Sequence, residues 1–307
     1  MHPLLSQYSG LSPEQIQKNN SRLAQIFSLT LNLAPTVIDR ETVEELANDC
    51  GISRAEAYAY SLAALANLDA AGDDRLFFRY WLLPSICELE TAPYTGDAYF
   101  SHVKIPEIKR GKWELKTEEL APFETFVCND FVITPDRRMI PQIGFFRERY
   151  PFPAVLENGR EWMTLLPNEM VTTYPAIESA HGRVLTFGLG LGYFTYHACQ
   201  KENVERVTVV DISPDVIELF RTHILPQFPN RDKVELICAD AFDFADHNMG
   251  GNFDFVFADI WHDAGDGCEL YLRMKEYERL HPDIEFSFWL EDTLKCYLDK
   301  SLWYIPE

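Results

Sequence analysis

The residues best suited to chemistry follow short apolar runs in the second half of the chain. Three glycines alternate in Gly188-Leu189-Gly190-Leu191-Gly192, directly after the apolar run 184–187, and a helix-like stretch follows them. A strand, a glycine turn and a helix bring backbone N–H groups and a helix N-terminus to one point, where they can bind a polar ligand. Alternating glycines alone are a weak signal, because structural turns also use glycine where φ is positive.

Three acidic residues follow further strand-like runs. Asp211 ends the run 207–210, Asp240 follows the run 234–238, and Asp259 comes after a third run. Asp211 lies about 20 residues beyond the glycines, where a carboxylate can accept hydrogen bonds from both ribose hydroxyls of a nucleoside. Strands that alternate with helices predict a parallel, doubly wound sheet, and such sheets bind ligands at the carboxyl ends of their strands. The sequence therefore predicts an α/β fold with a nucleotide site at these acids.

The acid-rich segment 259–267 also carries a histidine and a tryptophan that a transfer reaction could use. Asp259 could orient an amine through a charge-assisted hydrogen bond, and His262 could accept its proton because histidine titrates near neutrality. Trp261 could place a cation–π wall beside a sulfonium or an amine. We predict Asp259, His262 and Asp263 as catalytic residues, although His262 could equally be a loop residue that only pairs with a neighbouring acid.

The order of these motifs resembles the class I S-adenosylmethionine-dependent methyltransferase superfamily. The matching segments are 187–192, 210–211, 238–241 and 257–259. The resemblance implies a Rossmann-like fold whose glycine turn meets the methionine part of S-adenosylmethionine, with Asp211 on the ribose, Asp240 at the adenine amino group and Asp259 facing the transfer centre. A dinucleotide enzyme would need another glycine where Tyr193 stands. The predicted cofactor-binding residues are Gly188, Leu189, Gly190, Gly192, Asp211, Ile212, Asp240, Ala241 and Asp259.

A narrower resemblance is to the spermidine synthase branch of that superfamily. It rests on the hairpin signal Asn158-Gly159, followed by Thr164, Glu169 and Tyr174 just before the glycine strand. Those enzymes transfer an aminopropyl group from decarboxylated S-adenosylmethionine to a polyamine, and they place a small β domain ahead of the nucleotide fold. The resemblance implies that Asp259 helps to accept the proton of the attacking amine.

The polyamine motifs of that branch are altered here. Trp162 stands where the branch has a glutamine, and the segment 259–263 replaces the branch's Asp-Ser-Thr/Ser-Asp-Pro motif. Glu169 and Trp261 are predicted to contact the substrate, but Glu169 could instead be the acid of a helix N-terminus after Pro167. The chain also ends where the branch has two further strands. The architecture is therefore expected to be shared, without a demonstrated polyamine pocket.

The chain is long enough for two or three domains. Residues 1–122 predict a helical N-terminal region, 123–180 a small β-hairpin domain, and 181–307 the Rossmann-like S-adenosylmethionine-binding domain. The segment 47–53 has the spacing of a helix-turn-helix, but the helix after it has Arg54 as its only basic residue. Helices that enter DNA need more basic side chains. We therefore expect these helices to support a dimer or the transferase domain.

Composition narrows the partners and the compartment. The net charge is −21, which disfavours nucleic acid as a partner and suits a cationic small molecule, although solubility explains acidity equally well. The seven cysteines are scattered and lack C-x-x-C spacing, which is typical of reduced thiols. Charged residues interrupt every long apolar run, and no signal peptide or metal motif is evident. We expect a cytoplasmic protein without a membrane span or a metal, and a homodimer stays open.

Three functions remain open from the sequence. The favoured one is an S-adenosylmethionine-dependent methyltransferase that acts on a small, cationic molecule. The second is an aminopropyltransferase of spermidine synthase type that uses decarboxylated S-adenosylmethionine. The third is a non-catalytic cofactor-binding or structural protein that keeps the fold.

Overall fold

The computed structural model describes residues 2–303, so the last four residues of the predicted Rossmann-like region lie outside the described chain. The described residues divide into two compact units, and each unit is built from separate segments of the chain. One unit contains residues 2–91, 119–150 and 295–303, and the other contains residues 92–118 and 151–294.

The helices and strands are numbered in chain order. The α-helices are α1 (Pro13–Leu33), α2 (Arg40–Cys50), α3 (Arg54–Leu65), α4 (Arg75–Phe77), α5 (Leu83–Ser85), α6 (Ala92–Thr95), α7 (Ala98–His102), α8 (Pro167–Ser179), α9 (Tyr193–Gln200), α10 (Pro214–Leu219), α11 (Ala241–Asn248), α12 (Ala264–Leu280) and α13 (Glu291–Leu298). The strands are β1 (Ile86–Leu89), β2 (Ile108–Arg110), β3 (Trp113–Leu120), β4 (Phe126–Ile133), β5 (Met139–Phe146), β6 (Tyr150–Glu157), β7 (Arg160–Thr164), β8 (Gly182–Phe187), β9 (Val204–Asp211), β10 (Val234–Cys238), β11 (Phe255–Ala258) and β12 (Glu285–Phe288).

A parallel sheet of order β10-β9-β8-β11-β12 confirms the predicted α/β, Rossmann-like fold. Its central strands β8, β9 and β11 are mostly buried, as expected for the middle of a sheet covered on both faces. In the register, Phe187 of β8 lies between Val210 of β9 and Ala258 of β11. The residues that follow these three are Gly188, Asp211 and Asp259, so the strand register brings the glycine turn and both acids to one edge.

A second sheet of the same unit has the order β2-β3-β6-β7. The predicted hairpin joins β6 and β7, and Asn158 and Gly159 have φ angles of 53° and 80°, as a tight two-residue turn requires. Strand β3 lies in a region for which the sequence predicts helices and loops. It forms because Trp113, Leu115 and Leu120 are buried while charged residues occupy positions between them.

The other unit packs helices α1 to α3 with a sheet of order β1-β5-β4. Helix α1 begins as predicted, with Pro13 in its first turn and a reciprocal capping box between Ser12 and Gln15. The predicted helical character of residues 13–65 is confirmed, whereas residues 1–122 also contain β1 to β3.

The compact units cut across the three consecutive regions that the sequence predicts. Strands β4 and β5, from the predicted β-hairpin domain, form a sheet with β1, and their core is shared with the N-terminal helices. Strands β6 and β7 join β2 and β3 instead. The reason is that apolar strand faces pack by proximity in space, so segments distant in the chain complete each other's sheets.

A buried ion pair in the unit that contains α1 to α3 gives a testable stability prediction. Arg138 is fully buried and donates hydrogen bonds to Asp136 at 2.8 Å and to the carbonyl of Tyr80. Burial opposes ionisation of Asp136, but hydrogen bonds from Ser9, Thr134 and Arg138 outweigh it and lower the Asp136 pKa to about 2. A lowered pKa stabilises the fold above roughly pH 4, and this stabilisation is lost as pH falls towards 2.

Asp136→Asn is therefore expected to lower the free energy of unfolding at neutral pH by about 2 kcal/mol. Urea denaturation at neutral and acidic pH measures the effect, with the exposed Asp73→Asn as the control variant. An equal destabilisation at all pH values would contradict the role of the ionised carboxylate.

No helix among residues 2–303 is both long enough and apolar enough to cross a membrane.

Candidate active site

A cavity of about 580 Å³ opens at the carboxyl edge of the parallel sheet. This volume lies within the range of small-molecule and cofactor sites. The cavity brings together most of the predicted site residues. Those that line it are Gly188, Leu189, Gly190, Asp211, Ile212, Asp240, Ala241, Asp259, Glu169, Trp261 and His262.

Two predicted residues stand apart from this lining. Gly192 precedes α9 and lines instead a small adjoining chamber of about 20 Å³. Asp263 is the N-cap of α12, and its carboxylate accepts hydrogen bonds from the backbone N–H groups of Gly265 and Asp266. In return, the Asp266 side chain accepts a hydrogen bond from Asp263 N–H. Helix capping therefore accounts for Asp263, and its catalytic role stays a prediction.

The glycine turn is packed tightly against the protein's own atoms. Gly188 has a φ of 93°, and a Cβ there would lie 1.9 Å from the carbonyl oxygen of Asp259. A Cβ on Gly190, whose φ is 48°, would lie 2.0 Å from the Sδ atom of Met163. Glycine is therefore required at position 188 by its φ and by a backbone oxygen, whereas at position 190 the positive φ favours glycine and the Met163 side chain would have to move for a Cβ.

Most backbone N–H groups of the turn already have partners. Gly188 N–H donates to Val210, Leu189 N–H donates to the Asp211 carboxylate at 3.1 Å, and Leu191 N–H contacts Met163 Sδ at 3.0 Å. Within residues 2–303, the Gly190 N–H has no protein acceptor. It lines the cavity and is therefore available to a polar atom of a ligand.

Asp211 and Asp240 each accept hydrogen bonds from the protein backbone and also line the cavity. Asp211 accepts hydrogen bonds from Leu189 N–H and Ser213 N–H, and burial nevertheless raises its pKa. Asp240 is the N-cap of α11, and its Oδ1 atom accepts from Phe242 N–H and Asp243 N–H. A carboxylate has about four lone-pair directions, so both acids retain capacity for a bound nucleoside.

The nucleoside half of the cavity thus fits S-adenosylmethionine on the residues present. Two acids that can accept hydrogen bonds, a free Gly190 N–H and the exposed apolar side chain of Ile212 line one continuous space. These are the groups that ribose hydroxyls, an exocyclic amine and an adenine face need.

Glu169 and Asp259 form a pair of neighbouring carboxyl groups in the same cavity. Glu169 lies in the first turn of α8, and Asp259 follows β11. Burial raises the pKa of Asp259 to about 7. Burial and the charge of Asp259 together raise the pKa of Glu169 well above its usual range. Like charges that face each other in one cavity cannot both ionise readily, so the two carboxyls share protons near neutrality.

The charged groups that line the cavity are mostly acidic. The lining includes six carboxyl groups and one lysine, which are Glu157, Glu169, Asp211, Asp215, Asp240, Asp259 and Lys112. Lys112 forms an ion pair with Glu157, and Asp215 pairs with Arg110. Within residues 2–303, the side chains of Glu169 and Asp259 alone among these acids have no cation or N–H donor as partner. The cavity is therefore suited to a cationic ligand at this pair.

Tryptophan side chains supply much of the remaining wall. Trp261 is buried against Gly267 and Tyr271, and Trp289 donates its indole N–H to Thr172 at 3.0 Å. The buried indole N–H groups of Trp113 and Trp261 have no acceptor among residues 2–303. Such unpaired donors cost free energy, which a ligand or water with acceptor atoms can recover.

His262 is held by its neighbours in a way that bears on proton transfer. Its Nε2 atom lies 3.1 Å from the carbonyl oxygen of Glu161, and its Nδ1 atom lies 3.5 Å from the Asp263 carboxylate. A carbonyl oxygen and a carboxylate only accept hydrogen bonds, so both ring nitrogens are directed at protein acceptors. This arrangement favours Asp259 over His262 as the proton acceptor in the cavity.

Several residues that shape the site were missed by the sequence interpretation. Met163 and Tyr99 hold the Leu191 peptide from two sides, and the Tyr99 hydroxyl donates to the Leu191 carbonyl at 2.6 Å. Lys112 and Trp113 reach the cavity from the start of β3. The alternation of Trp113 and Leu115 was a usable signal for β3, but no local pattern marks Tyr99 as a neighbour of the turn.

Tyr99→Phe is expected to weaken S-adenosylmethionine binding about three- to tenfold, because a buried carbonyl loses its donor and the turn loosens. Isothermal titration calorimetry measures the dissociation constant, and the half-exposed Tyr60→Phe of the other unit is a matched control. Unchanged affinity in Tyr99→Phe would show that this hydrogen bond does not position the turn.

Comparison with known proteins adds an independent observation. A family model described as a methyltransferase domain matches residues 184–272, which include the glycine turn and the three acids. The resemblance to the class I S-adenosylmethionine-dependent methyltransferase superfamily is confirmed. S-adenosylmethionine or its decarboxylated form is accordingly the cofactor of this methyltransferase domain. No curated protein matches the chain.

Solved structures are similar to parts of the chain. They include cofactor-bound Rv0187 from MTB (25% identity, TM-score 0.27, 33% of this chain and 45% of that chain). Another is spermidine synthase in complex with the transition state analogue AdoDATO (17% identity, TM-score 0.34, 46% of this chain and 52% of that chain). A third is a Klebsiella pneumoniae protein described as an O-methyltransferase (17% identity, TM-score 0.27, 33% of this chain and 46% of that chain). The chain spans about half of the length of these structures. Similarities this partial do not indicate a substrate.

Proposed function

We propose that this protein is an S-adenosylmethionine-dependent methyltransferase whose acceptor is a small amine. The observation that carries the proposal is the Glu169–Asp259 pair, which lies in the same cavity as the glycine turn. An amine acceptor needs a group that attracts its ammonium form and then takes a proton, and a shared carboxyl pair can do both. The acidic cavity wall disfavours a polyanion such as nucleic acid.

Each of the predicted cofactor residues is proposed to bind a different part of S-adenosylmethionine. Asp211 would hold the ribose, Asp240 the adenine amino group, and Gly190 N–H a polar atom near the methionine end. Bound S-adenosylmethionine supplies an electrophilic methyl group on a sulfonium. All of the remaining assistance in this proposal is positioning and proton transfer by the chain's own side chains.

Asp259 orients the acceptor nitrogen and removes its proton. With the pair sharing protons near neutrality, Asp259 can be ionised while Glu169 is protonated, so the pair carries one negative charge. The ammonium transfers its proton to Asp259, and the neutral amine is left with a lone pair for attack. The burial of the pair keeps the carboxylate basic enough for this step.

Aminopropyl transfer is the second candidate function, and the charge distribution favours it. The one lysine that lines the cavity, Lys112, is already paired with Glu157. The carboxylate of S-adenosylmethionine would therefore find few cations. The decarboxylated form lacks this carboxylate and has only a primary ammonium at that end. Against this candidate, Trp162 and the segment 259–263 replace the motifs of the polyamine enzymes. Methyl transfer therefore stays first.

Transfer of label from methyl-labelled S-adenosylmethionine to a panel of small amines tests the proposal. The expected result is a labelled product with at least one amine and none without protein. Decarboxylated S-adenosylmethionine, offered in parallel with the same amines, tests aminopropyl transfer by product mass. Label transfer to hydroxyl or thiol acceptors, with none to any amine, would contradict the amine assignment.

A further inference from the structure

The unengaged acids of the cavity provide a place for one cationic group. Glu157 is paired with Lys112, Asp215 with Arg110, and Asp211 and Asp240 accept hydrogen bonds from backbone N–H groups. Glu169 and Asp259 are the two acids of the lining that have no such partner within residues 2–303. A second ammonium group on the acceptor would therefore meet no free carboxylate elsewhere in the lining.

The rest of the acceptor faces an aromatic wall. Trp162 lines the cavity with 42% of its surface exposed, so its indole is accessible to a ligand. The Trp113 ring meets it edge to face at 5.8 Å, and the His262 imidazole lies 5.7 Å away on the remaining side. Both neighbours also line the cavity, so the three rings form one continuous surface that we call the aromatic wall.

The aromatic wall and the acid pair are within reach of one small molecule. His262, which contacts Trp162, comes three residues after Asp259, and three residues span at most about 11 Å of chain. The aromatic wall and the acid pair belong to the lining of the same cavity. A ring joined to an ammonium group by a short alkyl chain fits within this limit.

Resting on the proposed function, we propose that the acceptor is an arylalkylamine, with its ammonium group at Glu169 and Asp259 and its ring against Trp162. A flat ring covers the exposed indole and gains offset or edge-to-face contacts that an aliphatic chain does not. An aliphatic diamine makes no ring–ring contact with the indole, and its second ammonium has no unengaged carboxylate as a partner. The acceptor class therefore follows from one unengaged acid pair beside one exposed tryptophan.

Binding measured without turnover tests this acceptor class. The protein, saturated with S-adenosylhomocysteine, is titrated calorimetrically with β-phenylethylamine, n-hexylamine and putrescine. β-Phenylethylamine is expected to bind about three- to tenfold more tightly than n-hexylamine, the gain typical of an aromatic pair, and more tightly still than putrescine. Trp162→Leu is expected to abolish the preference for the ring, and Trp162→Phe to retain it.

Trp162 is 42% exposed, so neither variant is expected to unfold, and thermal unfolding checks this. Tightest binding of putrescine, an equal affinity for all three amines, or a ring preference that persists in Trp162→Leu would overturn the proposal. Ring-dependent binding without methyl transfer would instead remove the proposed function and leave the acceptor class standing. Methylation of amines without any ring preference would support the proposed function and remove the arylalkylamine acceptor class.

Discussion

Asp259→Asn is expected to lower the rate of methyl transfer about 100- to 1,000-fold, the usual contribution of a general base. An asparagine keeps the shape of the side chain but cannot take the acceptor's proton. Because we propose that Asp211 and Asp240 hold the ribose and the adenine, the affinity for S-adenosylmethionine should change little. Steady-state kinetics and calorimetry on the same preparation separate the two effects, with the exposed Asp232→Asn as a control.

The pH dependence of the rate gives this prediction a second readout. Burial raises the pKa of Asp259 to about 7, so the wild-type rate should fall as pH decreases through that value and the base becomes protonated. Glu169 is the protonated member of the pair, so the neutral Glu169→Gln should leave the acidic limb near its wild-type position, because burial raises the Asp259 pKa. A rate that is unchanged in Asp259→Asn, or an acidic limb that moves far from its wild-type position in Glu169→Gln, would contradict the carboxyl-pair assignment.

Asp211→Ala is expected to weaken S-adenosylmethionine binding about 100-fold or more, since each of the two proposed hydrogen bonds from the ribose hydroxyls to this charged group contributes about 1.5–3 kcal/mol. The substitution removes the ribose acceptor and also frees the N–H groups of Leu189 and Ser213, which the carboxylate now binds. The parallel sheet should persist, because its strands are held by apolar packing and backbone ladders.

Calorimetry measures the loss of affinity, and thermal unfolding shows whether the fold survives. Asp232→Ala removes an exposed aspartate outside the cavity lining and controls for the change in net charge. Asp211→Asn should retain part of the affinity, because an amide oxygen still accepts hydrogen bonds. Unchanged affinity in Asp211→Ala, with a folded protein, would remove the ribose assignment.

Local patterns in the sequence predicted the sheet edge well. Gly188, Asp211, Asp240 and Asp259 each follow an apolar run, and parallel strands end at a common edge, so order along the chain was enough to place them together. The same reasoning placed Ile212 and Ala241 on the lining, where the structure has them.

Residues that act across the chain could not be predicted in this way. Tyr99 contacts the turn from 92 positions earlier in the sequence, and Met163 reaches it from a separate sheet. Neither has a local signal, because the packing of distant segments decides which side chain meets Leu191. The exposed face of Trp162 is likewise set by the arrangement of the hairpin, although its position after Asn158-Gly159 was evident.

Asp263 illustrates an ambiguity of residue type. An acid next to a histidine suggests proton chemistry, yet the pair Asp263 and Asp266 has the spacing of a capping box, and the structure shows those reciprocal bonds. Short polar side chains serve helix ends and active sites equally well, so spacing alone favoured neither. The domain boundaries were uncertain for a similar reason, since an apolar strand does not reveal which sheet it joins.

The most direct test of the account is calorimetric titration of the purified protein with S-adenosylmethionine, with its decarboxylated form and with methylthioadenosine. All three share the nucleoside that Asp211 and Asp240 are expected to bind, so they isolate the preference at the other end of the donor. We expect binding of all three, with S-adenosylmethionine tighter than the decarboxylated form, because only S-adenosylmethionine has a carboxylate that can accept a hydrogen bond from the unpaired Gly190 N–H. Tighter binding of the decarboxylated form would replace methyl transfer by aminopropyl transfer, and binding of none would contradict the cofactor site itself.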